Sequence, residues 1–176
     1  MKKATTLAIC SIVTALSVVL MFLGGITFIF AYIMPMLVGM LMIMLKRTFG
    51  TASAWITYTA TSVLSFILVA DKECMLMYVM LFGFYPIIQS GLNKIRIKPL
   101  SLILKLLIFN SLLAIIQIIL VFVFGIPFLE EGEGKWLLIL FAVLMNLLFI
   151  IYDRLIITLT RLYEIKLEKK IKKYFK

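Results

Sequence analysis

Six long apolar runs, separated by short polar or glycine-containing breaks, account for nearly the whole chain: residues 5–23, 26–45, 51–70, 74–92, 100–124 and 135–159. Each is about 18–25 residues long, enough for a helix rising about 1.5 Å per residue to cross a hydrocarbon core of roughly 30 Å. The breaks fall at Gly24-Gly25, 46–50, Asp71-Lys72-Glu73, 93–99 and 125–134. Links this short make consecutive helices antiparallel neighbours. The pattern predicts an all-α polytopic membrane protein, a compact bundle of six transmembrane helices over residues 1–160 with a tail over 161–176. Pro99 suits the first turn of the fifth helix, where its missing N–H costs nothing. Pro35 and Pro86 fall inside the second and fourth helices and are expected to bend them. The chain shows no internal repeat, so the inverted-repeat architecture of many secondary transporters is not expected.

Charge gives the bundle a direction. With Lys2 and Lys3 in the cytoplasm, basic residues recur after every even crossing: Lys46 and Arg47, then Lys94, Arg96, Lys98 and Lys105, then the segment from Arg154 to the end. All 18 basic residues except Lys72 and Lys135 then lie inside, while the outer connections carry Asp71, Glu73, Glu130, Glu131 and Glu133. Cytoplasmic enrichment of Lys and Arg sets orientation in membrane proteins with short loops, so both termini are expected in the cytoplasm and the bundle in the plasma membrane. The net charge of +10 is accounted for by this rule, and no nucleic-acid partner is expected. A composition of 64% hydrophobic residues lies outside soluble globular usage. The first run follows Met1-Lys2-Lys3 but is too long for a signal-peptide core and has no convincing cleavage site, so it is expected to stay as a helix.

Several chemistries are missing from this composition. There is no histidine, which removes the usual metal ligand and any Ser-His or Cys-His nucleophile pair. Cys10 and Cys74 fall near opposite faces and cannot pair. The glycines form no phosphate-binding loop, so the chain does not hydrolyse ATP itself. The expectation is a protein that is not an enzyme and needs no metal or other cofactor.

Polar residues inside the runs mark what remains. The third run carries Thr51, Ser53, Thr57, Tyr58, Thr59, Thr61, Ser62 and Ser65, which can bond within the bundle or line a solute path. The sixth places Asn146, Asp153 and Thr160 on one face, and the fifth aligns Asn110 with Gln117 in the same way. Lys105 and Asp153 enter from the inner side to similar depth, and an ionisable group there costs a few kcal/mol unless it is paired or snorkels. Asp153 is therefore expected to find Lys105 or the adjacent Arg154 as a structural ion pair. A proton relay would call for a second carboxylate within the membrane, and the runs hold none.

On the first helix Ala4, Ala8, Ser11 and Ala15 fall within an arc of roughly 60° at about 100° per residue. Such a stripe lets another backbone approach closely, which in lipid is a main source of helix affinity. It serves either packing within the bundle or docking of a separate membrane partner. Trp136 is a natural interfacial anchor, and the outer acids serve either solvation or capture of a cationic solute or a divalent ion. From Arg161 onward seven basic residues alternate with Leu162, Ile165, Ile171 and Phe175, a composition that binds anionic inner leaflets.

With these features the chain resembles the S components of energy-coupling-factor (ECF) transporters, the small membrane subunits that capture micronutrients. The resemblance covers residues 4–68: the Ala- and Leu-patterned segment 8–20, then Pro35-Met36-Leu37-Val38-Gly39, then Gly50. In that family an Ala-x-x-x-Ala element on the first helix contacts the transmembrane coupling subunit; Ala4 and Ala8 match it, and Ser11 and Ala15 extend the face. The resemblance implies a small-molecule solute bound near the outer face, with Asp71, Glu73, Gln117 and Trp136 as candidate pocket residues. It also implies toppling of the subunit in the lipid bilayer against a coupling subunit powered by two ATPase subunits. A non-transporting six-helix scaffold of cell-envelope machinery would share the composition and topology but would hold no outer pocket and no solute.

Overall fold

The computed structural model describes residues 3–26, 30–93, 98–126 and 135–167. Among these, every regular element is helical: α1 (Lys3–Gly24), α2 (Phe30–Phe49), α3 (Thr51–Leu68), α4 (Lys72–Met77), a π-helical segment (Tyr78–Phe82), α5 (Tyr85–Leu92), α6 (Lys98–Phe122), α7 (Lys135–Leu162) and a second π turn (Tyr163–Leu167). Six spans are long and apolar enough to cross a membrane, with α4, the π segment and α5 together forming the fourth. The perimeter is correspondingly apolar; Ile67, Phe122 and Val123 are 71%, 83% and 70% exposed. In lipid this surface carries no penalty, so helix association rests on close packing and on polar contacts rather than on apolar burial.

The basic pair Lys46-Arg47, expected in a turn, instead sits in the last turn of α2, which runs on to Phe49. Lys46 donates to the Ile87 carbonyl and the Ser90 hydroxyl, both 2.6 Å away, and this tie accompanies the extra turn. The reversal into α3 is made by Gly50 at φ 91°, a left-handed conformation that glycine adopts without a Cβ penalty. At the opposite end Asp71 caps α4, its carboxylate accepting from the Glu73 and Cys74 amides. Pro99 lies in the first turn of α6, as expected.

α2 is the central strut, lying against α1, α3, α7 and all parts of the broken fourth span. α1 buries Cys10, Thr14, Ser17, Val18 and Met21 against α2 and α3. The deepest packing surrounds the π segment. Pro86 has no N–H, so the Phe82 carbonyl four residues earlier has no partner within its own helix. Gly83 bonds back five residues to the Tyr78 carbonyl at 2.8 Å, widening the turn. The orphaned Phe82 carbonyl accepts instead from the Tyr152 hydroxyl of α7 at 2.9 Å. The Tyr58 hydroxyl of α3 donates to the Val79 carbonyl at 2.6 Å. Gly39 makes the approach possible: a Cβ there would stand 2.1 Å from the Phe82 oxygen and 2.2 Å from the Tyr152 hydroxyl. The bend expected at Pro86 is thus a break in the helix, held open by tyrosines from two other helices.

Candidate functional site

The most polar region of the interior sits beside α5. Asp153 of α7 is buried and accepts from Lys105 of α6, both oxygens lying 3.0 Å from the ammonium. Tyr85 and Gln89 of α5 also donate to its Oδ1, and Gln89 reaches the Asp153 carbonyl at 3.1 Å. Lys105 makes a further bond to Asn93 Oδ1 at 2.7 Å. The expected pair therefore forms with Lys105; Arg154 points to the exposed face of α7. Only the two side chains of the pair were singled out from the sequence. Tyr85, Gln89 and Asn93 were missed, although their spacing of four places them on one face of the fourth span. Each charge is neutralised and both carboxylate oxygens are occupied, so the arrangement locks α5, α6 and α7 together and offers no ready proton acceptor.

Asn110 and Asn146 pair with each other. Two amide bonds, 2.8 and 3.0 Å, cross between α6 and α7, and each side chain also donates to the carbonyl four residues earlier on its own helix. Gln117, one face-repeat further along α6, has its buried Nε2 without a partner among the described residues. Thr160 borders a small pocket at the Lys46 end of the bundle with Arg47, Gln89, Ser90 and Asn93.

At the Asp71 end the charged residues are engaged internally. Asp71 is the α4 cap, and Lys72 donates to the Phe66 and Val69 carbonyls, closing the end of α3. Glu73 accepts a short hydrogen bond from the Tyr32 hydroxyl of α2. Trp136 projects freely and is 81% exposed. Glu130, Glu131 and Glu133 lie outside the described residues, as do Lys94, Arg96 and the tail beyond Leu167.

A groove of about 580 Å³ lies between α2 and α7. Met36, Met40, Leu144 and Leu148 line it, and Tyr32, bonded to Glu73, stands at its Asp71 end. Among the described residues that line it, Tyr32 alone carries a polar group on its side chain. None of Asp71, Glu73, Gln117 and Trp136 lines it directly; Glu73 reaches it through the Tyr32 hydroxyl. No signal in the sequence marked this groove, because its lining residues read as ordinary core positions of two separate helices.

The small-residue stripe faces outward. Ala4, Ala8, Ser11 and Ala15 are all exposed, and their mean direction lies roughly 110° around α1 from the buried face. Ser11 satisfies its own hydroxyl on the Leu7 carbonyl at 3.0 Å, leaving a smooth surface. The stripe starts beside the α2–α3 reversal, where Lys3, Leu7 and Cys10 border Ser53 and Ile56. Cys10 and Cys74 are both free and buried. The chain matches no family model, no curated protein and no solved structure at a significant level.

Proposed function

We propose that this chain is the solute-capture membrane subunit of an ECF-type uptake system, working with a separate coupling subunit and ATPases. The observation that carries the reading is the outward-facing stripe on α1. A helix that buries Cys10, Thr14, Ser17 and Met21 inside its own bundle does not need Ala4, Ala8, Ser11 and Ala15 for internal packing. On a lipid-facing surface, four small residues in register are a close-approach site for another transmembrane helix. The sorted charges support an orientation with both termini in the cytoplasm, the Lys46 end inside and the Asp71 end outside. The stripe then begins at the inner surface, where energising subunits would be reached.

The test replaces Ala4 and Ala8 together with leucine and measures which proteins co-purify from gently solubilised membranes. Exposed leucines are compatible with the fold, so the variant should remain monodisperse and lose its coupling and ATPase subunits. Undiminished recovery of those subunits by the variant removes the docking surface from the proposal.

A non-transporting envelope scaffold is the second reading. It is favoured by the engagement of Asp71 as a helix cap and of Lys72 on the carbonyls that end α3, which leaves neither as a simple solute contact. Recovery of envelope-synthesis proteins in place of ATPases, with no retained solute, would select it.

A further inference from the structure

The α2–α7 groove has the composition of a chain-binding site with a polar terminus, and it opens sideways on the bundle's apolar perimeter. Eleven of its lining residues are apolar, among them Met36, Met40, Met145, Leu144 and Leu148. Three of them are methionines, whose unbranched thioethers adapt to irregular or variable apolar shapes. At one end the chemistry changes abruptly. The Tyr32 ring packs edge-on to Phe141 at 6.5 Å, and its hydroxyl hands the groove on to the Glu73 carboxylate. Asp71 stands two residues from Glu73. Among the described side chains, the cation nearest in sequence, Lys72, is turned back onto the Phe66 and Val69 carbonyls and the Phe66 ring.

We propose that this groove binds a single-chain amphiphile carrying a protonated amine, with the alkyl chain along Met36, Met40, Leu144 and Leu148 and the ammonium at Glu73 beside Tyr32. A carboxylate that already accepts one hydroxyl keeps further lone pairs for a cation. An ammonium there forms a charge-assisted hydrogen bond in a site partly shielded from water. Entry is lateral, from the surrounding lipid leaflet, so the ligand's chain need never cross water. A neutral bilayer lipid would fill the apolar part and gain nothing at Glu73. An anionic amphiphile would meet two carboxylates. This assigns a ligand class to the capture function proposed above and rests on that reading for its physiological purpose.

The experiment uses the full chain in phosphatidylcholine nanodiscs and a dodecylamine bearing an aliphatic diazirine near mid-chain. Photolabelled residues are mapped by mass spectrometry. The expected result is saturable labelling concentrated on Met36, Met40, Leu144 and Leu148. Unlabelled dodecylamine should compete at least tenfold better than dodecanol, and dodecanoate should compete least. Glu73→Gln should reduce the preference for amine over alcohol to less than threefold while leaving chain labelling in place. Leu148→Trp should abolish groove labelling while the protein stays monodisperse, and Met40→Phe provides a milder filling if it does not. Labelling spread evenly over Ile67, Leu107 and Phe122 would show annular lipid contact only and overturn the proposal. So would equal competition by the three head groups. Labelling that appears only after co-purified proteins are stripped would mean that another protein helix covers the groove, and would overturn it equally. Recovery of ATPase partners is scored on the same preparations. Partners without groove labelling sink the ligand proposal alone, whereas groove labelling without partners sinks the uptake reading alone.

Discussion

The interior is held by a few side chains whose removal has distinct and separable consequences. Asp153 joins three helices, and its loss leaves the Lys105 ammonium, among the described residues, with the Asn93 Oδ1 as its remaining acceptor. Breaking a buried ion pair from one side costs about 3–5 kcal/mol, because the remaining charge is uncompensated. Asp153→Asn keeps an acceptor for Tyr85 and Gln89 but removes that compensation. It should lower stability by about 3 kcal/mol in a detergent unfolding titration, allowing for some snorkelling of Lys105. Adding Lys105→Met should recover a substantial part of the loss. A double variant as unstable as the single one would show that the charge was not the source of the cost. Gly39 is equally constrained for a steric reason, since even one methyl group would collide with both partners of the Tyr152–Phe82 bond.

Among the elements, the fourth span is the one whose behaviour differs most from a plain helix. Its two α-helical parts are separated by the π segment, and each part is anchored to different neighbours. α4 is tied to α2 by Tyr32–Glu73, while α5 is tied to α6 and α7 by the Asp153 network. Tyr152→Phe removes the hydroxyl donor to the Phe82 carbonyl and should cost roughly 1–3 kcal/mol, as for a buried acceptor left unmade. Local opening should concentrate in residues 82–86, read as faster amide exchange there with unchanged exchange in α1 and α3. Exchange that rises evenly across all six spans would mean that the π segment is not a separately stabilised unit. The Asn110–Asn146 pair plays a comparable part between α6 and α7, where few other contacts bridge the two helices. Interhelical bonds of this kind contribute on the order of 0.6–2 kcal/mol.

For the whole molecule, the division of charge between the two ends is the property that every functional reading depends on. With both native cysteines replaced by alanine, a Trp136→Cys probe should react with an impermeant maleimide in intact cells. A Lys176→Cys probe should react only after permeabilisation. The reverse pattern would turn the bundle over, placing the start of the stripe outside and the Tyr32–Glu73 end of the groove inside. That outcome would remove the uptake reading as a whole.

How far each feature could be read from the chain alone depends on the range of the interaction behind it. Six spans and their helical character follow from run length and composition, which are local properties. The Lys105–Asp153 pair was legible too, because a charge in an apolar run has few affordable solutions and depth narrows them further. The small-residue stripe was visible by periodicity, but periodicity alone left open whether it faced inward or outward. Only the placement of α1 against α2 and α3 turned it to the perimeter. The Phe82–Tyr152–Gly39 contact, the Tyr32–Glu73 bond and the α2–α7 groove had no counterpart in the sequence pattern. Each joins residues far apart in the chain, and their meeting depends on the rotation and register of packed helices, which hydropathy does not encode. The chain by itself determined what must lie in an apolar environment; the tertiary structure decided which polar groups meet inside it and where a gap is left.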